Sequence, residues 1–409
     1  MSGRPISDLR AVVVGVGFVG HTHIESLRRL GVAIAGVVGS SPERTAAKAA
    51  ALGIPTVYPD LDAALCEDSV DVVHVASPNH LHCRQATSVL SAGKHLVVEK
   101  PLGRDAAETA RLVDQAADSS LVNAVCFNLR YYPLNQQMAA MVRDGAIGAT
   151  RLVSGAYLQD WLLHATDWNW RLDSDEGGRL RAIADIGSHW LDLAQFVTGQ
   201  RIVEVCADLH TFLPVRRRPP GPRETFTTDD PDGPDGELMD VVITSDDAAG
   251  VLLRFESGAR GVVTISQASA GRKNSMSIEV DGATAAMSWS SERAEELWIG
   301  HRDVPNELLL RDPGLLADGV RRHVGYPGGH PEGYADSFRA FFREVYTDIA
   351  AGKPSAEPTY ATIADGHASM VLIEAIARSA EERRWVAVAD LQPAATNDQA
   401  DRHAGGHTP

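Results

Sequence analysis

The stretch DIGSHWLD (185–192) sets Asp185, His189 and Asp192 at i, i+4 and i+7, a spacing that shares one face of a helix. An imidazole titrates near neutrality, so an Asp–His stripe on a helix can move a proton to or from a bound molecule. A hydrogen-bonded polar strip under a loop would show the same pattern. A second candidate stands earlier, in VVEKPLG, where Glu99, Lys100 and Pro101 close the fourth apolar run of the chain. Ligands of open α/β sheets gather at the C-terminal ends of the strands, so Lys100 there can reach a bound cofactor or a substrate oxygen. An isolated lysine at such a junction is also an ordinary surface residue.

The third group is VVVGVGFVGHTH, with Gly15, Gly17 and Gly20 in GxGxxG spacing directly after the first apolar run and opening a helix. Gly15 permits the tight turn, Gly17 lets the backbone approach a pyrophosphate, and Gly20 lets helix and strand pack closely. Phe18 and Val19 then lie at a helix N-terminus that faces the anion. The pattern predicts a dinucleotide, NAD or NADP. An acid at the end of the second strand would hold the ribose 2′-hydroxyl of NAD, but this chain has Gly39, Ser40 and Ser41, with Arg44 opening the next helix. Hydroxyls and a guanidinium suit a 2′-phosphate, which leans toward NADP; Ser41 is also a fitting helix N-cap and Arg44 a fitting solvated residue. Ser77, Asn79 and His82 open a helix near the expected nicotinamide, with Glu99 and Lys100 beside them. His82 equally fits a buried helix histidine. Asn128 stands where the first domain ends.

These residues need a frame. Short apolar runs at 11–15, 32–38, 71–77, 95–99 and 121–127 alternate with helical stretches, including 41–53, 79–93 and 105–118. Fully apolar strands alternating with helices predict a parallel sheet covered on both faces. From about 150 the texture changes to long strand-like runs at 202–213, 238–245, 250–256, 260–268, 275–281 and 284–289, with helices near 333–351 and 360–383. The expectation is an α/β chain with a Rossmann domain over 1–128. A second α+β domain with a large, mainly antiparallel sheet follows over 129–390, and a disordered tail over 391–409.

Composition narrows the class. With 38 basic against 54 acidic residues, the formal charge of −16 argues against sequence-independent binding to nucleic acid or an anionic membrane. The one basic cluster, VRRRPPGPR (215–223), is Pro-rich and reads as a loop. Cys66, Cys83, Cys126 and Cys206 form no CxxC pair, so neither a metal site nor a disulfide framework is expected. With no apolar leader in MSGRPISDLR, the expectation is a cytoplasmic protein.

Together, the GxGxxG loop, the EKP after the fourth strand and the Asp-x-x-x-His helix about 85 residues later resemble the Gfo/Idh/MocA oxidoreductases. SPNHLHCRQA, FNLRYYP, GAIG and GSHWLDLAQFVTG agree with that resemblance, which spans roughly residues 10 to 390. YLQDW with a downstream WR is similar to the sugar- or glycoside-oxidising members. The resemblance implies a catalytic trio of Lys100, Asp185 and His189, a frequently cis Lys–Pro bond, and homodimers or homotetramers formed through the second domain's sheet. The chemistry it implies is hydride transfer between a secondary alcohol of a sugar, glycoside or cyclitol and nicotinamide. His189 serves as base, Asp185 orients the imidazole or bonds the substrate, Lys100 stands beside the developing oxyanion, and Asp192 lies behind them. Three of the seven tryptophans fall within QDWLLHATDWNWR (159–171). Asp160, Trp161, Asn169 and Arg171 from this loop, with Arg130 and His330, are the expected substrate contacts; a loop pinned by aromatic packing is the alternative. A redox-neutral, NAD-dependent glycosidase and a non-catalytic dinucleotide-binding regulator are the competing functions. The intact trio argues against the regulator.

Overall fold

The computed structural model describes residues 4–220 and 238–391. Five strands, β1 (Arg10–Val14), β2 (Ala33–Val38), β3 (Val72–Val75), β4 (His95–Val98) and β5 (Asn123–Val125), form a parallel sheet in the order β2-β1-β3-β4-β5. Their connections run through α1 (Phe18–Arg29), α2 (Pro42–Ala51), α3 (Leu61–Leu65), α4 (Asn79–Ser91) and α5 (Ala106–Ala117). The strands are short and Val-rich because both faces are covered, so every side chain from Val72 to Val75 is buried. The order reverses beside β1, which opens a crevice over the C-terminal ends of β1 and β3. The short α3 lies in a stretch whose sequence carries no long periodic run.

The chain then crosses through α6 (Pro133–Arg143) into β6 (Thr150–Leu158), α7 (Ser174–Gly177) and α8 (Ser188–Thr198). There follow β7 (Ile202–His210), β8 (Val215–Arg218), β9 (Met239–Val242), β10 (Ala248–Phe255), β11 (Arg260–Ser266), β12 (Ser275–Gly282), β13 (Ala286–Ser290), β14 (Glu296–Gly300) and β15 (Glu307–Leu310). After these come α9 (Asp318–Arg321), α10 (Tyr334–Ala351), α11 (Ile363–Glu382) and β16 (Val386–Ala387). Nine strands make the second sheet, ordered β15-β14-β13-β12-β6-β11-β10-β7-β16; only the β11–β6 pair is parallel. The large, mainly antiparallel sheet is therefore present.

Two details differ from the sequence reading. The basic segment at 215–218 is a strand, not a loop, and pairs with Met239–Val242 in a separate two-stranded ribbon. Its Arg216 is fully buried, held by carbonyl oxygens and a carboxylate, while Arg217 and Arg218 stay exposed. The helix of the opening stretch is also not regular: Ile183–Gly187 forms a π-helical turn before α8 begins at Ser188. Gly187 makes this possible, because a Cβ there would lie 2.6 Å from the Ile183 side chain.

One face of the second sheet packs under α6, α8 and α11 around Trp190, Leu193, Ile278, Trp289 and Ile373. Helix α10, late in the chain, returns to the first sheet, where Phe338, Phe341, Phe342, Val345 and Tyr346 share a core with Ala11, Val13, Ile24 and Val97. No helix among the described residues is long and apolar enough to cross a membrane. The expected disordered tail, apart from Leu391, lies outside the described residues.

Candidate active site

The glycine loop does what its spacing requires. Gly15 has φ +93°, and a Cβ on it would meet the Ala76 carbonyl oxygen at 2.4 Å. A Cβ on Gly20 would lie 1.9 Å from the Gly15 oxygen, so only glycine lets α1 sit this close to β1. Around Gly17 nothing stands within 4 Å of that position, and no side chain caps α1. Open space in front of uncapped helical N–H groups is the cradle a pyrophosphate needs. The dinucleotide therefore fits the residues present.

From this cradle a cleft of about 670 Å³ runs between the two sheets. Its wall includes Gly15, Gly17, Phe18, Val19, Ser40, Ser41, Arg44, Ser77, Asn79, His82, Glu99 and Asn128. Gly20 stays behind the loop as the packing glycine. Ser41 precedes α2, but its hydroxyl does not cap the helix, which leaves it on the cleft wall. His82 is buried with both ring nitrogens at carbonyl oxygens, 2.8 Å from Pro101 O and 2.7 Å from Ser77 O. It thus joins the two loops that carry Ser77 and Lys100. Asn128 donates to Ser337 Oγ at 2.8 Å, and Asn79 to Gly177 O at 3.1 Å.

Lys100, Asp185 and His189 meet at the far end of the same cleft. The Lys100–Pro101 peptide is cis. Lys100 Nζ donates to Asp185 Oδ1 at 2.8 Å and to Asp185 O at 3.0 Å. Arg171 Nε stands 3.3 Å from Oδ1, and Gln267 Nε2 donates to Oδ2 at 2.9 Å. Burial works against the Asp185 carboxylate, but Lys100 and Arg171 hold it well below the usual carboxylate range. Among the described residues no hydrogen bond joins Asp185 to His189; the carboxylate holds the lysine instead of orienting the imidazole.

His189 packs edge-on to Phe127 at 5.9 Å, and its Nδ1 is buried without a partner. Burial and then Lys100 push the imidazole down to about 3. The ring is therefore neutral at physiological pH, rather than titrating near it as the residue type suggests. Glu99, behind Lys100, accepts from Lys100 N at 3.2 Å and lies 3.1 Å from His23 Nε2. Burial opposes its charge, yet His23 and Lys100 bring the carboxyl down to about 2.

A buried ionic network supports this end. Asp246 accepts from Arg181 N at 2.7 Å and Ile183 N at 2.8 Å, which pins the start of the π-helical turn. Arg181, buried, pairs with Asp247 and donates to Gln267 Oε1 at 2.9 Å. Gln267 is consequently fixed in orientation, with its amide nitrogen on Asp185. Arg216 reaches the same Asp247 at 2.8 Å and holds the Leu162 and His164 carbonyls at 2.9 Å each. The ribbon of β8 and β9 thereby ties the Trp-rich loop to the helix that carries Asp185 and His189.

Of the six expected substrate contacts, only Arg171 reaches the cleft wall. Arg130 is spent on Asp192 in a buried bidentate pair at 2.5 and 2.8 Å. Asp160 is turned away and accepts from Gly271 N at 3.0 Å and Lys273 Nζ at 2.8 Å. Trp161 packs against Leu162, Leu172 and Ile243, so it does not form the mouth. Asn169 is buried and caps the short turn Trp170–Leu172. His330 is exposed, with its Nδ1 3.3 Å from Gly328 O. Tyr157, Gln159, Trp170, Lys273, Asn274 and Tyr334 line the cleft in their place. Two of these were legible: side chains alternate along a strand, so Tyr157 and Gln159 share a face that Asp160 cannot. Lys273 and Asn274 come from a turn with no signal of its own.

A nucleotide cradle that opens into a buried Lys–Asp–His cluster defines a dinucleotide-binding oxidoreductase. Comparison with known proteins agrees. Residues 9–127 match the oxidoreductase family with an NAD-binding Rossmann fold, and residues 135–288 match the GFO/IDH/MocA C-terminal domain. A levoglucosan dehydrogenase of Pseudarthrobacter phenanthrenivorans is 30% identical over 305 residues, covering 72% of this chain and 76% of that protein. The NADP(+) D-xylose 1-dehydrogenase 2 of Haloferax volcanii is 31% identical over 40% of this chain and 49% of its own. The solved levoglucosan dehydrogenase complex with NADH and L-sorbose superposes with a TM-score of 0.82 at 26% identity, over 93% of this chain and 98% of that one. The chain belongs to the Gfo/Idh/MocA family of oxidoreductases.

Proposed function

We propose that the protein transfers a hydride between a secondary alcohol of a sugar, glycoside or cyclitol and NAD(P). The observation that carries this reading is the single cleft with the glycine cradle at one end and Lys100, Asp185 and His189 at the other. When bound, the nicotinamide ring is the hydride acceptor. The chain's own part is to manage the proton and the charge on oxygen. His189, neutral and lining the cleft, accepts the hydroxyl proton. A base held this low takes a proton only from an acidified hydroxyl, and Lys100 provides that by stabilising the alkoxide. Asp185 fixes the lysine, and Arg171 and Gln267 fix Asp185. The names of the relatives, a levoglucosan and a xylose dehydrogenase, support a polyol substrate.

Among the described residues the 2′ end of the cleft is lined by Ser40, Ser41, Arg44 and Lys48, with Glu43 outside the lining and 3.4 Å from Ser41 Oγ; the basic lining favours NADP. The relatives include both an NADP(+) enzyme and an NADH complex. All four cysteines are free, which suits a reducing cytoplasm. The decisive screen follows reduced nicotinamide with sugars, glycosides and inositols and both cofactors. Turnover of at least one polyol with net reduction supports the reading; glycoside cleavage without net reduction would favour the glycosidase instead.

The second sheet also supports self-association. Its outward face exposes Leu152, Leu252, Val262, Trp298, Leu308 and Leu310; in β10 and β11 the residues flanking Leu252 and Val262 are buried. Exposed apolar side chains repeated across one sheet face fit an interaction surface, and we assign it to a homodimer or homotetramer.

A further inference from the structure

A chain of hydrogen bonds at the cleft wall has its direction fixed by chemistry. Trp161 Nε1 lies 2.7 Å from Gln159 Oε1. An indole N–H only donates, so Gln159 must turn its oxygen toward Trp161 and its NH₂ the other way. That NH₂ donates to Asn274 Oδ1 at 2.8 Å. Tyr157 OH donates to the same oxygen at 2.8 Å. Asn274 Oδ1 therefore accepts twice, and the two N–H bonds of Nδ2 are left for the cleft that Asn274 lines. The neighbouring backbone is held as well, since Asp160 binds Gly271 N and Lys273 Nζ. Gln159 and Tyr157 are buried while Asn274 is exposed. Tyr157 stands 6.4 Å from the His189 ring, which places this group beside the reacting centre.

Resting on the polyol reading above, we infer that Asn274 is a specificity-determining residue whose NH₂ donates to a substrate oxygen near the oxidised carbinol. Trp161 and Gln159 act as positioning residues that set its polarity. The recognised oxygen must accept, as a ring, glycosidic or hydroxyl oxygen does. Trp161 thus serves the substrate without touching it.

The test compares wild type, Asn274→Asp, Asn274→Ala, Trp161→Phe and the Trp161→Phe/Asn274→Ala double variant on the polyol that wild type turns over best. Asn274→Asp replaces the donor by an acceptor-only group and should raise KM about 10-fold or more, with kcat changed less than about threefold. Asn274→Ala should raise it about 3- to 10-fold. Dinucleotide affinity, read by fluorescence titration, should not change. Trp161→Phe keeps an aromatic ring and should also raise KM, yet add nothing in the Asn274→Ala background; a purely structural role would add in full. An unchanged KM in both Asn274 variants of an active enzyme overturns this inference alone, as does full additivity for the positioning claim. A wild type that turns over no polyol overturns the function reading and this inference together.

Discussion

His189 shows how far environment can move a residue from its ordinary behaviour. Burial and the Lys100 charge hold it at about 3, so it stays neutral across the working range. His189→Ala should lower kcat about 10²–10⁴-fold while the dinucleotide still binds; near-normal turnover would remove it from the mechanism. In wild type, kcat/KM should show no loss between about pH 5 and 7 from protonation of this imidazole, which a pH–rate profile reads directly. Gln267 belongs to the same scale. Gln267→Leu removes a donor to a buried carboxylate and should cut kcat about 10-fold or more, with the fold intact by circular dichroism. That Lys100, Asp185 and His189 belong together was legible only through the family resemblance, because a lone Asp–His stripe or a strand-end lysine equally fits a structural role. Gln267 and Arg181 were not, because their roles exist only through Asp185 and Asp247, which distant segments supply.

At the level of elements, the glycine loop and its strand–helix setting were readable, since each glycine answers a steric demand of its own. The second strand end was readable in part. An acid introduced at Gly39 would put a Cβ 2.2 Å from Thr45 Oγ1, so that position is closed by packing. Ser40 is exposed and lines the cleft. Ser40→Asp should therefore lower the NADP-to-NAD preference in kcat/KM about 10-fold or more, a carboxylate there repelling a 2′-phosphate and binding a 2′-hydroxyl. An unchanged ratio would show that this strand end does not read the 2′ position. The π-helical turn at Ile183–Gly187 left no mark in the hydrophobic pattern. The Asp246 carboxylate that holds the start of this turn comes from 63 residues away from Ile183, so local sequence does not show it. The Trp-rich loop was misjudged for a related reason: aromatic residues serve packing and ligands alike, and β8 and β9 draw Trp161 into packing.

The whole molecule is one cleft between two sheets, with α10 returning late in the chain to complete the first sheet's core. That return is invisible to local periodicity, because a helix does not announce which sheet it will cover. Buried histidines tie stability to pH. His323 is held at about 3, first by burial and then by Arg322 and Arg343. A folded pKa below the unfolded 6.5 means stability is present above pH 6.5 and lost as pH falls toward 3. The loss at pH 5 should reach about 2 kcal/mol from this group. In His323→Gln the fall in unfolding free energy from pH 7 to pH 5 should be smaller by a comparable amount, whatever the absolute stability; denaturant titration at the two values checks it. The central claim, hydride transfer from a polyol carbon to the nicotinamide at the end of this cleft, has one direct test. Wild type is incubated with NAD(P)⁺ and a polyol deuterated at the carbinol carbon, and the reduced cofactor is analysed by mass spectrometry. The account predicts one deuterium on the nicotinamide ring with wild type and its near-disappearance over the same period with His189→Ala. Reduced cofactor without deuterium, or no reduction across sugars, glycosides and inositols, would contradict it.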